Sequence, residues 1–365
     1  MSREPQDLTD QPGAVREDER LDLAPLAAWL ARAVPGAAGP VELLQFGKGH
    51  SNLTYLLRFG GREAVLRRAP RGANIKHAHD MHREFTLLSA LRGAYPKAPR
   101  PIAFCDDEAV VGARFYLMER VRGVILRGRE RPAGLELPPE RMEALSRAFV
   151  DDLAALHAVD VRGGPLAAMG RPEGYVARQV AGWTERYARA RTDEVPELER
   201  ALHWLAASQP TTETGAALIH NDYKYDNLVL DPADLSCIVA LLDWEMATVG
   251  DPAMDLGSSL GYWVDAADPP ELRAMAFGPT PLPGNLDREA LLARYAAATG
   301  RDPGDPVFLY VYGLAKLAVI AQQIYRRFRD GHTRDPRFAA MIDGVRVLGR
   351  QAARAIERRR IGGLG

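Results

Sequence analysis

The chain has 365 residues, 47% of them apolar and 26% charged, and 47 Lys+Arg against 48 Asp+Glu leave a formal net charge of -1. That length supports a substantial core in one large domain or two lobes, and the charge excludes a general pull toward nucleic acid or an anionic membrane surface. Cys105 and Cys237 are too few and too far apart for a disulfide framework or a cysteine zinc site, which fits a reducing, cytoplasmic setting.

Residues 1–20 are charged, lack the apolar stretch of a signal or anchor, and are expected to be disordered. No uninterrupted apolar run is long enough to cross a bilayer, and no internal repeat is found. Over 21–34, Leu26, Trp29, Leu30 and Val34 keep helical spacing and stop before Pro35-Gly36. The period then changes to two. Stretches 41–46, 53–59 and 63–67 read as antiparallel strands, with a tight turn at Gly60-Gly61 before the third. The turn at 47–52, GKGHSN, could bring backbone N–H groups and the side chains of Ser51 and Asn52 to phosphate oxygens, with Gly49 allowing close approach; any hairpin needs such residues too. It does not complete G-x-x-x-x-G-K-[ST], so a P-loop is excluded.

Asp80 is placed to cap a helix carrying Met81, Phe85, Leu88 and Leu91. His77, His79 and His82 have no carboxylate-rich partner motif and do not read as a metal site. Strands follow at 102–105 and 114–119, then a loop rich in Arg, Gly and Pro over 123–139. A helix at 140–159 has Met142, Leu145, Phe149, Leu153 and Leu156 on one stripe; His157 near its end reads as a core or capping residue. Further helices span 174–190, with Tyr175, Gln179, Arg186 and Tyr187, and 308–329, with Tyr312, Lys316, Gln323, Tyr325, Arg326 and Arg327. Residues 265–283 are Pro-rich and read as a surface loop.

The chemistry concentrates between 218 and 255, in HNDYKYDNLVLD and LLDWEMATVGDPAMD. Asp222, Asn227 and, after the apolar run 238–242, Asp243 follow the order and spacing of H-R-D-x-x-x-x-N and D-F-G. Phosphoryl transfer needs that set: a carboxylate to orient a hydroxyl and take its proton, and a carboxylate plus an amide to hold the metal that bridges nucleotide phosphates. Asn221 and Trp244-Glu245 replace the Arg and Phe-Gly of protein kinases, which points away from protein substrates.

With these motifs the chain resembles the aminoglycoside phosphotransferase and choline kinase-like family of small-molecule kinases, over about 43–327. It is most similar to the subgroup related to the kinase-like part of acyl-CoA dehydrogenase fusion proteins. The resemblance implies an α+β, two-lobed protein-kinase-like fold, with a small antiparallel nucleotide-binding lobe over 21–121 and a mostly helical catalytic lobe over 122–360. It implies ATP and Mg2+ as cofactors, a small-molecule acceptor, and no nucleic acid or membrane partner. Asp222 is then the base and Asn227 and Asp243 the metal ligands. Arg67 holds phosphate, unless the register puts Arg68 there; Glu84 pairs with that cation or is simply solvated. Glu119 and Val121 bind adenine through their backbones, over Met118. Glu245 assists at the metal or acceptor. Asp255, in GDPAMDLG, starts a helix and braces the catalytic loop.

The same resemblance places the acceptor site on the two helices bearing Tyr175, Gln179, Lys316 and Arg326, whose cations either meet an anionic acceptor or form a solvated basic face. The subgroup favours a hydroxyacyl-CoA or related hydroxy acid over an aminoglycoside. Two rivals stand beside it. A nucleotide-binding pseudokinase module conflicts with the intact Asp222, Asn227 and Asp243. A metal-dependent phosphohydrolase would need more ligands around His220. The chain is expected to end without a fused dehydrogenase, and nothing in it sets the oligomeric state.

Overall fold

The computed structural model describes residues 8–37, 39–47, 52–70, 80–128, 134–333 and 335–365. Helix α1 (Leu23–Ala33), capped by Asp22, leads into strands β1 (Glu42–Gln45), β2 (Leu53–Phe59) and β3 (Arg62–Arg68). Helix α2 (Met81–Ala90) follows, with the Asp80 carboxylate accepting from the Arg83 N–H as its cap, then β4 (Pro101–Cys105) and β5 (Phe115–Glu119). All five strands form one antiparallel sheet ordered β1-β2-β3-β5-β4. Gly60 and Gly61 turn β2 into β3 with φ of 53° and 72°, the left-handed pair that a two-residue hairpin turn requires.

Strand alternation sorts the lobe's side chains into two layers. Tyr55, Leu57, Phe59, Ala64, Leu66, Phe115 and Leu117 face Leu26, Trp29, Leu30 and Val34, the α1 stripe. Val65, Tyr116 and Met118 face the other way, into a core shared with α2 and the second lobe. The same alternation settles the register at the end of β3: Arg67 follows Val65 toward the second lobe, while Arg68 is buried on the α1 side and donates to the Val111 carbonyl at 2.5 Å.

The expected disorder of the first twenty residues is corrected for 8–20. Gly13 pairs with Gln45 through both backbone groups, Tyr55 donates to the Glu19 carbonyl, and Asp10 takes the Arg127 guanidinium at 2.5 Å. Charges that read as a solvated tail have partners on the sheet and the interlobe segment.

The second lobe contains α3 (Pro139–His157), α4 (Gly164–Ala167), α5 (Tyr175–Ala190) and α6 (Pro196–Ala207). Short strands β6 (Ala217–Ile219), β7 (Leu228–Leu230), β8 (Ile238–Leu241) and β9 (Thr248–Gly250) pair as β6–β9 and β7–β8. Then come α7 (Pro252–Tyr262), α8 (Pro270–Arg273), α9 (Arg288–Thr299), α10 (Pro306–Arg329) and α11 (Met341–Arg358). Helices α7 and α10 cross at backbone contact: a Cβ on Gly313 would lie 2.1 Å from the Gly257 carbonyl oxygen, and one on Gly261 2.5 Å from the Gly313 carbonyl carbon.

The setting of α10 bears on one further expectation, and the segment 265–283 revises another. Among the described residues, α10 is long and apolar enough to span a bilayer, but 78% of its apolar window is buried inside the fold, where it serves as the lobe's central core helix. The segment 265–283 is not a plain surface loop. It folds inward around the buried Arg288 guanidinium, which binds Asp265 and Asp268, and it also buries Leu272 and Thr280.

Candidate active site

Strand β6 delivers His220, Asn221 and Asp222 to the junction of the lobes. Asn221 has φ 65°, a left-handed conformation that Asn tolerates better than most residues, and this is a local reason for Asn at that position. Its carboxamide reaches the Met246 carbonyl and the Tyr175 hydroxyl. The backbone N–H groups of His220 and Asn221 both donate to the Asp255 carboxylate, at 2.7 and 2.6 Å, and His157 Nε2 joins them at 3.1 Å. Burial alone would raise the Asp255 carboxyl; the His157 hydrogen bond and charge, with His220, hold it below the usual carboxylate range. Asp255 lies in the first turn of α7, whose cap is Asp251 rather than Asp255.

From α10, the Lys316 ammonium donates to the Asn221 carbonyl at 2.5 Å and to Ser258 Oγ at 3.0 Å. Burial pushes this lysine down to about 8, against the pull of Asp222 and Asp255. His220 is fully buried and held neutral by that burial; its Nε2 contacts the Leu242 carbonyl, tying the loop to the end of β8.

Both oxygens of Asp222 have partners. Tyr262 Oη donates to Oδ1 at 2.6 Å, Asn227 Nδ2 to Oδ2 at 2.9 Å, and Lys224 Nζ lies 3.0 and 2.9 Å from the two. Burial opposes ionisation, yet the Lys224 charge and hydrogen bond, then the Tyr262 hydroxyl, keep this carboxyl below its ordinary range. Lys224 and Tyr262 were missed in the sequence. Lys224 stands two residues after Asp222 and could have been found there; Tyr262 lies 40 residues on, with no local pattern to mark it.

Pairing of β7 with β8 brings Asn227 and the Asp243 segment together, and the Leu242 N–H donates to the Asn227 carbonyl at 2.8 Å. Asp243 itself has φ 67° and begins the turn that buries Trp244. Arg67 crosses from β3: its Nη2 lies 2.8 Å from Asp243 Oδ1 and 3.8 Å from Glu245 Oε2, and its Nε 3.5 Å from Glu84 Oε1. Burial raises the Glu84 carboxyl, and the Arg67 charge opposes that rise. Asn52, at the foot of β2, donates to Glu245 Oε2 at 2.6 Å, so the hairpin side of the first lobe also reaches this cluster. Gly49 and Ser51 lie outside the described residues. Next to Glu84, Arg83 of α2 donates to the carbonyls of Ala247 at 2.5 Å and Met169 at 3.4 Å in the second lobe.

The remaining predicted residues fall as follows. Met118 is in the interlobe core, the Glu119 side chain accepts from the Arg100 N–H, and Val121 packs against the small cluster of Ile125, Val229 and Ala240. Tyr175 and Lys316 are buried braces under the loop from His220 to Asp222, and Gln179 is half-buried. Arg326 pairs with Asp330 one turn away at the exposed end of α10.

Asp243, with a side chain 32% exposed, and the oxygen of an Asn227 carboxamide whose nitrogen is turned to Asp222 suit Mg2+, which takes few protein ligands and completes its shell with water and phosphate. Among the described residues, no three His, Cys, Asp or Glu side chains group to hold a metal ion on their own.

Residues 42–304 match the model of the phosphotransferase enzyme family. The chain belongs to that family. Of the curated relatives, the phosphotransferase is 35% identical to mouse acyl-CoA dehydrogenase family member 10 over 81% of its own length and 27% of that protein. It is 33% identical to chicken family member 11 over 88% of its length and 42% of that protein. The chain thus spans well under half of these relatives. Among solved structures, a candidate aminoglycoside phosphotransferase from Ralstonia eutropha superposes with TM-score 0.78 at 30% identity, over 93% of this chain and 99% of that one. A Cryptosporidium parvum choline kinase matches with TM-score 0.62 at 13% identity, covering 94% and 98%, a likeness of fold alone. The two-lobed, kinase-like architecture expected from the sequence is therefore present.

Proposed function

We propose that this phosphotransferase is an ATP- and Mg2+-dependent kinase that moves the γ-phosphoryl group onto a hydroxyl of a small molecule, preferentially a hydroxyacyl-CoA or related hydroxy acid. One observation carries the reading: Asn227 hydrogen-bonds Asp222, the Leu242 N–H just before Asp243 donates to the Asn227 carbonyl, and Arg67, from the first lobe, reaches Asp243 with Glu84 alongside. In the reaction the acceptor oxygen bonds to the γ-phosphorus, the bond from that phosphorus to the β-phosphate oxygen breaks, ADP leaves, and the hydroxyl proton passes to Asp222.

Each residue's part follows from its environment. Asp222 is held ionised, as a base must be, and its orientation is fixed by Tyr262, Lys224 and Asn227. Arg67 offers a guanidinium fork suited to phosphate oxygens. Mg2+, when bound by Asp243 and Asn227, would supply charge neutralisation of the phosphates. Nearly all of this catalysis is positioning and electrostatics, which fits a loop braced from α7 and α10. Support for the acceptor class comes from the curated relatives, whose names place them among acyl-CoA dehydrogenases. Support for a nucleotide comes from a family fold-mate solved as a ternary complex with AMP-PNP and hygromycin B.

The test is ATP consumption with a panel of hydroxyacyl-CoAs, hydroxy acids, choline, sugars and aminoglycosides. Transfer to a hydroxyacyl-CoA or hydroxy acid, reduced about 10²–10⁴-fold by Asp222→Asn with nucleotide binding retained, is the expected result. An Asp222→Asn protein that still transfers at the wild-type rate would remove the assignment of the base.

A further inference from the structure

Lys316 is a buried ammonium that ends on main chain rather than on a carboxylate. Its direct partners among the described residues are neutral: the Asn221 carbonyl at 2.5 Å, Ser258 Oγ at 3.0 Å, and the Trp183 ring, whose centre is 5.9 Å away. We infer that Lys316 is a positioning residue for phosphoryl transfer: its charge holds the peptide plane between Asn221 and Asp222, and so aims the base at the acceptor hydroxyl. The inference rests on the kinase reading and adds to it a residue from α10.

The peptide plane is the first argument. The Asn221 carbonyl and the Asp222 N–H belong to one rigid unit, and each end has a holder. The oxygen takes the Lys316 ammonium, and the N–H lies 3.3 Å from His220 Nδ1. The other ring nitrogen, Nε2, faces the Leu242 carbonyl, which can only accept; in this neutral ring Nε2 therefore carries the proton and Nδ1 accepts. Asp255 takes the N–H groups of the two preceding units and leaves the plane between 221 and 222 to Lys316 and His220. A turn of that plane changes ψ of Asn221 and φ of Asp222, the two backbone angles that set where the carboxylate points.

Stability is the second argument, because it does not explain a lysine here. Burying an ammonium without an ion pair costs folding free energy, and an apolar side chain of like volume is often neutral or stabilising in such a place. Burial accordingly lowers Lys316 from 10.5 to about 8. Between those values the unfolded chain holds the proton and the native one does not, so this group favours the native state more as pH rises. The hold on Asn221 runs the other way, since the neutral amine loses the charge-assisted bond. The charged and titratable groups around Lys316 keep their states meanwhile. Burial sends Tyr175 of α5 and Tyr312 of α10 above their usual range and keeps His220 neutral. Against burial, the Asp222 charge raises Lys224, Lys224 holds Asp222 ionised, and His157 does the same for Asp255 of α7; Arg186 of α5 is a fixed positive charge.

The chain has five lysines, few enough for NMR spectra of protein carrying 13C-labelled lysine side chains to be read residue by residue. One resonance should titrate near pH 8 and be missing from Lys316→Met. ADP formation is followed from about pH 7 to 9.5 with 3-hydroxybutyryl-CoA as acceptor and with water alone, a range that brackets the lysine and leaves its neighbours unchanged. Wild-type kcat should fall several-fold across it while KM for ATP holds. Lys316→Met should lie about 10- to 10²-fold lower in kcat, without the alkaline decline, and melt at or above the wild-type temperature. Relative to that variant, the wild type should gain stability as pH rises. A wild-type kcat flat with pH, no lysine titrating near 8, a Lys316→Met protein with full kcat, or one whose kcat falls only in step with ATP affinity and melting temperature would overturn the role of Lys316 alone. The first two readings use the wild type and decide the matter even where the variant does not fold. No ADP from either acceptor would overturn this role and the kinase reading together.

Discussion

Replacing Asp255 by Asn tests how the catalytic loop is held. The carboxylate accepts from two backbone N–H groups and from His157, and it is completely buried. A carboxamide of the same shape has one accepting oxygen, so its NH2 must face a donor at 2.6 or 2.7 Å. One buried N–H loses its partner, at about 1–3 kcal/mol, and one charged hydrogen bond goes, at about 1.5–3 kcal/mol. Relaxation recovers part of that sum, and the expected loss of unfolding free energy is about 3–5 kcal/mol, the usual cost of breaking a buried charged network. Urea unfolding followed by tryptophan fluorescence reads it directly. The loop carrying Asp222 also loses its anchor, so kcat should drop about 10²-fold for a displacement on the order of 1 Å. A variant within about 0.5 kcal/mol of wild type, or with full kcat, would refute the reasoning.

Gly313→Ala should cost more than the roughly 1–3 kcal/mol of ordinary overpacking, because the new methyl meets the Gly257 carbonyl oxygen at 2.1 Å, backbone rather than a yielding side chain; a melting temperature equal to wild type would contradict it. Tyr262→Phe removes a 2.6 Å hydrogen bond to ionised Asp222 and should lower kcat by up to about 10²-fold, from a charged bond of about 1.5–3 kcal/mol, while nucleotide affinity measured by titration holds. Asp265 supplies a pH test. Burial, opposed by Arg288, raises its carboxyl from 3.8 to about 7. A pKa raised by folding means the native state holds the proton longer, so this contribution is complete below about pH 4 and is lost as pH rises through about 7, spanning on the order of 4 kcal/mol. Melting curves from pH 5 to 8 should show that decline, and Asp265→Asn should flatten it; an unchanged slope in the variant would count against the account.

Much of the first lobe is legible from local pattern. Alternating apolar residues from Leu53 to Phe59 and the Gly60-Gly61 turn specify a hairpin without reference to anything distant, and Asp80 caps α2 where the spacing says it should. The loop from His220 to Asn227 is legible for another reason: its chemistry needs fixed spacings along the chain. What the sequence hides is contact across the fold. Tyr262 reaches Asp222 from the end of a helix whose apolar spacing says nothing of a hydroxyl, and Lys316 looks like an exposed cation until α10 is seen to be buried on nearly all sides. Asp265 and Asp268 sit among prolines and read as surface residues, because the guanidinium that draws them inward lies 20 or more positions further on. Charged residues with remote partners defeat any reading by composition.

Arg83 leaves one further consequence. Its guanidinium belongs to the small lobe but ends on main-chain carbonyls of the large one, at Ala247 and Met169. Carbonyl oxygens are present whatever side chains occupy those positions, so substitutions at 169 or 247 that keep the chain path should leave the tether in place. Swinging the lobes apart would strand that cation and its carbonyl acceptors, and would also part Arg67 from Asp243 and Asn52 from Glu245.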